Sequence, residues 1–159
     1  MFDAADRRIL SLLQRDARRT QSELAEAVGL SLSACAKRTA RLWAEGVIEG
    51  ATAALDRSRF RRPVTAAVMV TLTAPRAGVS DAFAAAILRH EEVLQCHVVT
   101  GDFDFLLLVQ AKSIEDYHAF AQATFGALPT VRAYKTTFVL RTHKNVDRLP
   151  DWALAAPMD

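Results

Sequence analysis

The sequence predicts an α+β chain in two parts, three short helices followed by a β-α-β-β-α-β unit. Three observations predict it. Apolar residues recur at helical spacing over roughly the first fifty residues. From Pro63 onward they gather instead into β-branched runs broken by Gly and Pro. Charge divides at the same place: residues 1 to 62 hold 12 Lys and Arg against 8 Asp and Glu, a net of +4, whereas residues 63 to 159 hold 8 against 10, a net of −2. A basic first part beside an acidic second part fits a chain that meets a polyanion with one end only.

In the first part, Ile9, Leu10, Leu12 and Leu13 form an apolar stripe after Asp3, with Arg7, Arg8, Arg15, Arg18 and Arg19 on or beyond that helix. Thr20-Gln21-Ser22-Glu23 has the spacing of a capping box, so a second helix starts there with Leu24, Ala25 and Val28 facing inward. Gly29 supplies the left-handed residue that ends it. Ser31 then caps a third helix, running to Glu45 and holding Ala34, Cys35, Leu42 and Trp43. Gly46 stops it, and Val47-Ile48-Glu49-Gly50 is short and strand-like. Helices joined by a tight glycine turn make a helix-turn-helix, and its second helix is the element such motifs present to the DNA major groove.

In the second part, Val64 to Thr73 reads as a buried strand, broken by Pro75 and Gly78. Ser80 is expected to cap a helix running to about His90. Val93 to Thr100 and Phe105 to Ala111 read as two strands joined at Gly101-Asp102 as a hairpin. Ser113-Ile114-Glu115-Asp116 opens another helix that ends near Gly126 and Pro129, and Val131 to Thr142 supplies the last strand. This order is the ferredoxin-like arrangement, an antiparallel sheet with both helices on one face. The other face needs a cover, and a second subunit is the economical one. The expected organisation is a DNA-binding domain over 1–50, a linker over 51–62 with Arg57, Arg59, Arg61 and Arg62 near its end, a ferredoxin-like domain over 63–144, and a loosely packed tail over 145–159 anchored at Trp152.

Several classes are disfavoured. An apolar fraction of 51% with 24% charged residues fits a globular chain. No apolar run approaches the roughly 18 residues of a membrane span, and the charged amphipathic N-terminus is not a signal peptide. Cys35 and Cys96 are far apart and form no Cys-x-x-Cys pair, which argues against a disulfide framework, a structural zinc site or any bound metal. His97 lies near Asp102 and Asp104, but neighbouring strand residues alternate faces, so a structural or solvent-facing histidine is the expectation. A cytoplasmic, nucleoid-associated location follows, with no membrane partner. No nucleophile–base pair or phosphate loop points to an enzyme or cofactor.

Leu24-Ala25, Val28-Gly29-Leu30-Ser31, Arg38, Arg41-Leu42 and Glu45-Gly46-Val47-Ile48 closely resemble the DNA-binding signature of the leucine-responsive/AsnC (feast/famine) transcription regulators. The run Cys96-His97-Val98-Val99-Thr100-Gly101-Asp102-Phe103-Asp104-Phe105-Leu106-Leu107, then Leu128-Pro129, resembles the second half of that family. The resemblance spans about nine tenths of the chain. It implies an N-terminal winged helix-turn-helix plus a C-terminal ferredoxin-like βαββαβ sandwich that senses amino acids. It further implies homodimers that assemble to octamers. Leu32 replaces the usual proline of the turn, Ala51 the usual tyrosine after the wing, and Thr130 a glycine.

On the third helix, Lys37 and Arg41 are one turn apart and share a face, with Arg38 beside them. Ser31 and Ser33 sit where backbone amides favour a phosphate. The expectation is that Ser33, Ala34 and Lys37 approach base edges of double-stranded DNA, while Ser31, Arg38 and Arg41 hold the backbone. A free amino acid needs donors for its carboxylate and an acceptor for its ammonium group. Thr100-Gly101-Asp102-Phe103-Asp104 holds both a glycine loop and carboxylates. The resemblance assigns effector contact to Gly101, Asp102 and Asp104, with Thr100 beside them. The sequence therefore reads as a sequence-specific transcription regulator modulated by a small amino-acid effector. The competing reading is an architectural DNA-binding protein with little sequence choice.

Overall fold

A computed structural model describes residues 2–56, 59–74 and 76–155; Arg57 of the expected linker, Pro75 and Pro157 lie outside them. The chain forms two compact units, residues 1–55 with 144–159 and residues 56–143.

The first unit is built on three helices, α1 (Ala4–Leu13), α2 (Gln21–Val28) and α3 (Leu32–Ala44). Each begins on a side chain that accepts an orphan backbone amide. Asp3 takes the amide of Asp6 and Asp6 returns to the amide of Asp3, a capping box; Thr20 and Glu23 repeat the device at α2. Ser31 accepts from the amide of Ala34 at 3.3 Å and starts α3. Gly29 turns the chain between α2 and α3 with φ of 70°, where a Cβ would be strained. Ile9, Leu24, Ala25, Cys35 and Leu42 form the buried core, with Leu10, Leu13, Val28, Val47 and Ile48 packed against it.

Two details differ from expectation. Trp43 is half-exposed, because it lies about 100° around the helix from Leu42, which already faces the core. Val47 and Ile48 donate both amides to the carbonyl of Leu42 and fold back on α3. Among the described residues this segment joins no ladder, so it is a wing turn rather than a strand.

Residues 147–155 belong to the first unit and are held on α1 by specific bonds. Gln14 donates to the carbonyl of Leu149 at 2.9 Å and accepts from its amide at 3.1 Å. Asp151 accepts from Ser11 Oγ at 2.8 Å and from Arg15 at 2.6 Å. The expected anchor, Trp152, is instead 77% exposed. Polar groups on α1 and just past its end, Ser11, Gln14 and Arg15, provide the attachment.

The second unit contains β1 (Val64–Leu72), α4 (Ala77–Ile87), β2 (Val93–Val98), β3 (Phe105–Ala111), α5 (Ile114–Ala121) and β4 (Val131–Phe138). The sheet order is β2-β3-β1-β4 with every neighbour antiparallel, the expected ferredoxin-like arrangement. Alternation sorts the two faces. Ala66, Val68, Val70 and Leu72 of β1 and Phe105, Leu107, Val109 and Ala111 of β3 pack against Phe83, Ile87, Tyr117, Ala121 and Phe125 from the helical layer. Aromatic contacts lock the layers, with Phe83 on Phe105 at 4.7 Å between centroids and Phe125 on Tyr134 at 5.3 Å. The opposite face carries Met69, Leu106 and Leu108 at its centre and His97, Lys135 and Thr137 around them, by register with the buried residues. Among the described residues no helix of this unit covers it.

Boundaries or helix geometry differ in four places. α4 starts at Ala77, because the amides of Val79 and Ser80 already close a turn on the carbonyl of Arg76, so Ser80 lies inside the helix and caps nothing. The β2–β3 connection spans residues 99–104 rather than two residues, closed by Val99 donating to the carbonyl of Asp104. α5, capped by Ser113, continues as a π-helical turn over Gln122–Gly126. β4 stops at Phe138, short of Thr142.

Candidate functional site

The outer face of α3 begins with Ser31, Leu32 and Ser33, all exposed, and continues through half-buried Ala34 to exposed Lys37. Cys35, Thr39 and Leu42 occupy the buried face, so residues 33, 34 and 37 point the other way by helical phase. The amides of Leu32 and Ser33 precede the first intrahelical bonds and take no acceptor within the helix. Lys37 makes no ion pair among the described residues. The start of α3 thus presents free amides, two hydroxyls and one unpaired cation.

Arg38 and Arg41 are placed differently. Arg38 Nη1 donates to Asp3 Oδ2 at 2.6 Å and to Asp6 Oδ1 at 2.9 Å, and Arg41 Nη2 donates to Asp6 Oδ2 at 2.6 Å. Asp6 is 1% exposed, so the two guanidiniums compensate a buried carboxylate and tie α3 to the start of α1. Burial acts to raise the Asp6 carboxyl, but hydrogen bonds from Arg38, the Asp3 amide and Arg41 outweigh it and hold its pKa below the usual carboxylate value. Asp3 is lowered as well, first by the amide of Asp6 and then by Arg38. Asp3 raises the Arg38 guanidinium further, with Asp6 adding to it. A guanidinium has five donors; Arg41 Nε also faces Glu45 Oε1 at 3.9 Å, and the outer parts of both arginines, 30% and 44% exposed, reach solvent.

Asp6 was absent from the expected site residues, although a signal for it exists. It stands three, four and seven residues before Ile9, Leu10 and Leu13, on the apolar stripe of α1. An acid in that phase must be buried and must find cations.

The glycine loop carries the second cluster. Thr100, Gly101 and Asp102 are exposed together. Gly101 has φ of 114° with open space around it, so its conformation rather than crowding demands glycine. Asp104 serves the fold: its Oδ2 accepts from the amide of Leu72 at 2.7 Å, and its own amide donates to the carbonyl of Val70 at 2.9 Å. It caps the end of β1 just where the β1–β4 register shifts. His97 is exposed on the open face of the sheet, and among the described residues no group of three His, Cys, Asp or Glu could hold a metal ion.

Residues 2–49 match a winged helix-turn-helix DNA-binding model, and residues 65–149 match the Lrp/AsnC ligand-binding domain. The chain is 38% identical over 149 residues to an HTH-type transcriptional regulator of Sinorhizobium fredii, covering 94% of this chain and 88% of that protein. It is 36% identical over 148 residues to the leucine-responsive regulatory protein of Salmonella typhimurium, covering 93% and 90%. A transcriptional regulator from Neisseria meningitidis, solved as its L-methionine complex, superposes with a TM-score of 0.85 at 29% identity, over 94% of this chain and 97% of that one. An AsnC-family regulator from Agrobacterium tumefaciens superposes equally well, with the same TM-score, identity and coverage. With its helix-turn-helix unit joined to an antiparallel ligand-binding unit, the chain belongs to the Lrp/AsnC family of transcriptional regulators.

Proposed function

We propose that α3 reads an operator through Ser33, Ala34 and Lys37. Ser31 and the open edges of Arg38 and Arg41 grip phosphates, and an amino acid bound at the Thr100–Asp102 loop tunes the affinity. The observation that carries this is the exposed start of α3, where free amides and unpaired Lys37 stand on a helix fixed to α1 through Asp6. Phosphate contacts give affinity and the helix N-terminus gives sequence choice. Gly101 offers close backbone amides to a carboxylate and Asp102 an acceptor to an ammonium group. Asp104 shapes that loop through Leu72 rather than meeting the ligand with both oxygens. The L-methionine complex of the Neisseria relative supports a small amino acid as the ligand class. Operator sequences selected in vitro and titrated at physiological salt test the reading. Specific sites are expected to bind at least ~10³-fold more tightly than random DNA, with affinity shifted by one of the twenty amino acids. Equal affinity for all sequences would favour an architectural protein at the nucleoid.

The uncovered sheet face makes this unit a dimerisation module in our reading, which pairs two α3 helices for half-sites on one face of the duplex. Dimers of this kind are the building blocks from which an octamer would be assembled. Leu106, 37% exposed at the centre of that face, is the residue to alter. Leu106→Glu is expected to reduce the particle to a monomer by light scattering, with operator affinity falling at least about a hundredfold; an unchanged mass would overturn the assignment of this face.

A further inference from the structure

The outer face of α1 carries cations that serve neither the core nor α3. Asp6, Ile9 and Leu13 turn inward, toward the core and the arginines of α3. Arg8 and Ser11 lie on the opposite side by helical phase. Arg15 follows just past the last turn, where its amide donates to the carbonyl of Leu12 at 3.1 Å. These residues line an open hollow of about 540 Å³, together with half-buried Leu12 and Leu154. Ser11 Oγ and Arg15 Nη2 converge on one carboxylate, donating to Asp151 Oδ1 at 2.8 Å and to Asp151 Oδ2 at 2.6 Å. Arg8 stands one turn before Ser11, a spacing that makes side chains neighbours, and lines the same hollow. Its side chain makes no ion pair or hydrogen bond among the described residues. Arg19 also lines the hollow, but within the field of Asp16 and Glu23. Asp151 is the only acid lining it among the described residues.

Asp151 shows what the hollow accepts: an anion whose oxygens take donors from Ser11 and Arg15 together. Its hold is weak, because the Arg15 and Asp151 side chains are 49% and 61% exposed, and a pair so open to water exchanges readily. It also leaves Arg8 without an acceptor. A phosphate group has more oxygens and more charge than a carboxylate, and the arginine fork matches its geometry. The volume is that of a small-molecule site, and Leu12 and Leu154 offer apolar surface on which an organic part can rest. Arg8 lies about 200° around the helix from Asp6, which meets α3, so this face is turned away from the duplex that α3 reads. We propose that the hollow binds a small phosphorylated anion, a di- or triphosphate, which displaces Asp151 and takes donors from Arg8, Ser11 and Arg15. Its binding loosens the tail from α1. The site is separate from the glycine loop and from the start of α3.

Calorimetric titration of the full chain with sodium pyrophosphate tests it, with sodium sulfate at the same ionic strength as the control. Pyrophosphate is expected to bind more tightly than sulfate. Arg8→Gln, which disturbs no contact within the described protein, is expected to weaken it about tenfold, and Arg15→Gln at least as much. Asp151→Asn carries the opposite sign: without the resident carboxylate, binding is expected to tighten about threefold. Trypsin reports the displacement. The bond after Arg148 adjoins Leu149, whose amide donates to Gln14 at 3.1 Å, and pyrophosphate is expected to speed its cleavage. Absence of binding up to ~10 mM pyrophosphate, equal binding of sulfate, or unchanged affinity in Arg8→Gln overturns the proposal. So does weaker binding in Asp151→Asn, or cleavage that pyrophosphate leaves as it was. A loss caused by Lys37→Gln alone would move the anion to the start of α3. A random duplex whose affinity falls in Arg8→Gln would give this face to DNA, and either result overturns the small-ligand site.

Discussion

Lys37→Glu is expected to remove operator binding while leaving the fold and the oligomer intact. Lys37 is exposed and unpaired on the outer face of α3, so its reversal disturbs no contact within the protein. At the DNA it replaces an attraction with a repulsion in each half-site. Loss of one contact to a base edge costs about 1–3 kcal/mol, and repulsion in both halves of a dimer compounds it to a drop of about a thousandfold. The salt dependence reports the mechanism: if Lys37 also neutralises phosphate, Lys37→Gln lowers the slope of log affinity against log salt by ~1 per subunit. Gel shifts across a salt series measure both, and an operator affinity within threefold of the wild type would remove Lys37 from the interface. Lys37 is the clean place for this test. Arg41→Glu would lose DNA binding for a second reason, since it would set a carboxylate against buried Asp6.

Asp6→Ala has the largest expected effect on stability. The change strips Arg38 and Arg41 of the carboxylate that orients them and breaks the reciprocal cap of α1. Removing one partner from a buried charge cluster costs about 3 kcal/mol or more, which for a unit of this size is a fall of ~12–24 °C in Tm. The melting of the second unit should not move. The same carboxylates set a pH dependence. Asp3 and Asp6 have folded pKa values below their unfolded ones, so the unfolded chain binds more protons as the medium is acidified. Their contribution is fully present above pH ~4 and is lost as pH falls through the lowered folded values. Thermal melts between pH 7 and pH 3 should therefore show the first unit failing first below pH 4, and Asp6→Ala should flatten that dependence. A variant with wild-type melting would mean that the cluster is not the clasp between α1 and α3.

The elements of this chain were legible because each is marked by local chemistry: caps at Thr20 and Ser31, the left-handed Gly29, and strands whose alternate residues are apolar. Three kinds of feature were not. Partners distant in sequence left only an indirect trace, as with Asp6, whose burial shows in its helical phase but whose arginines lie more than thirty residues on. Groups with a structural role were not legible as such, as with Asp104, to which the resemblance assigns effector contact and which in the fold also caps the Leu72 amide. Backbone closure without a side-chain signal was also invisible, as at Arg76, whose carbonyl starts α4 ahead of Ser80.

The bonds from α1 to Leu149 and Asp151 join residues 135 to 140 positions apart. A ribosome adding roughly 5–20 residues per second needs ~7–30 s to make the intervening chain. The three helices of the first unit can therefore form long before their clasp is synthesised, and the nascent protein passes through an interval in which Ser11, Gln14 and Arg15 are bare. During that interval the DNA-binding unit is at its least stable, and its final clasp waits on the completion of the ligand-binding unit that precedes it in the order of synthesis.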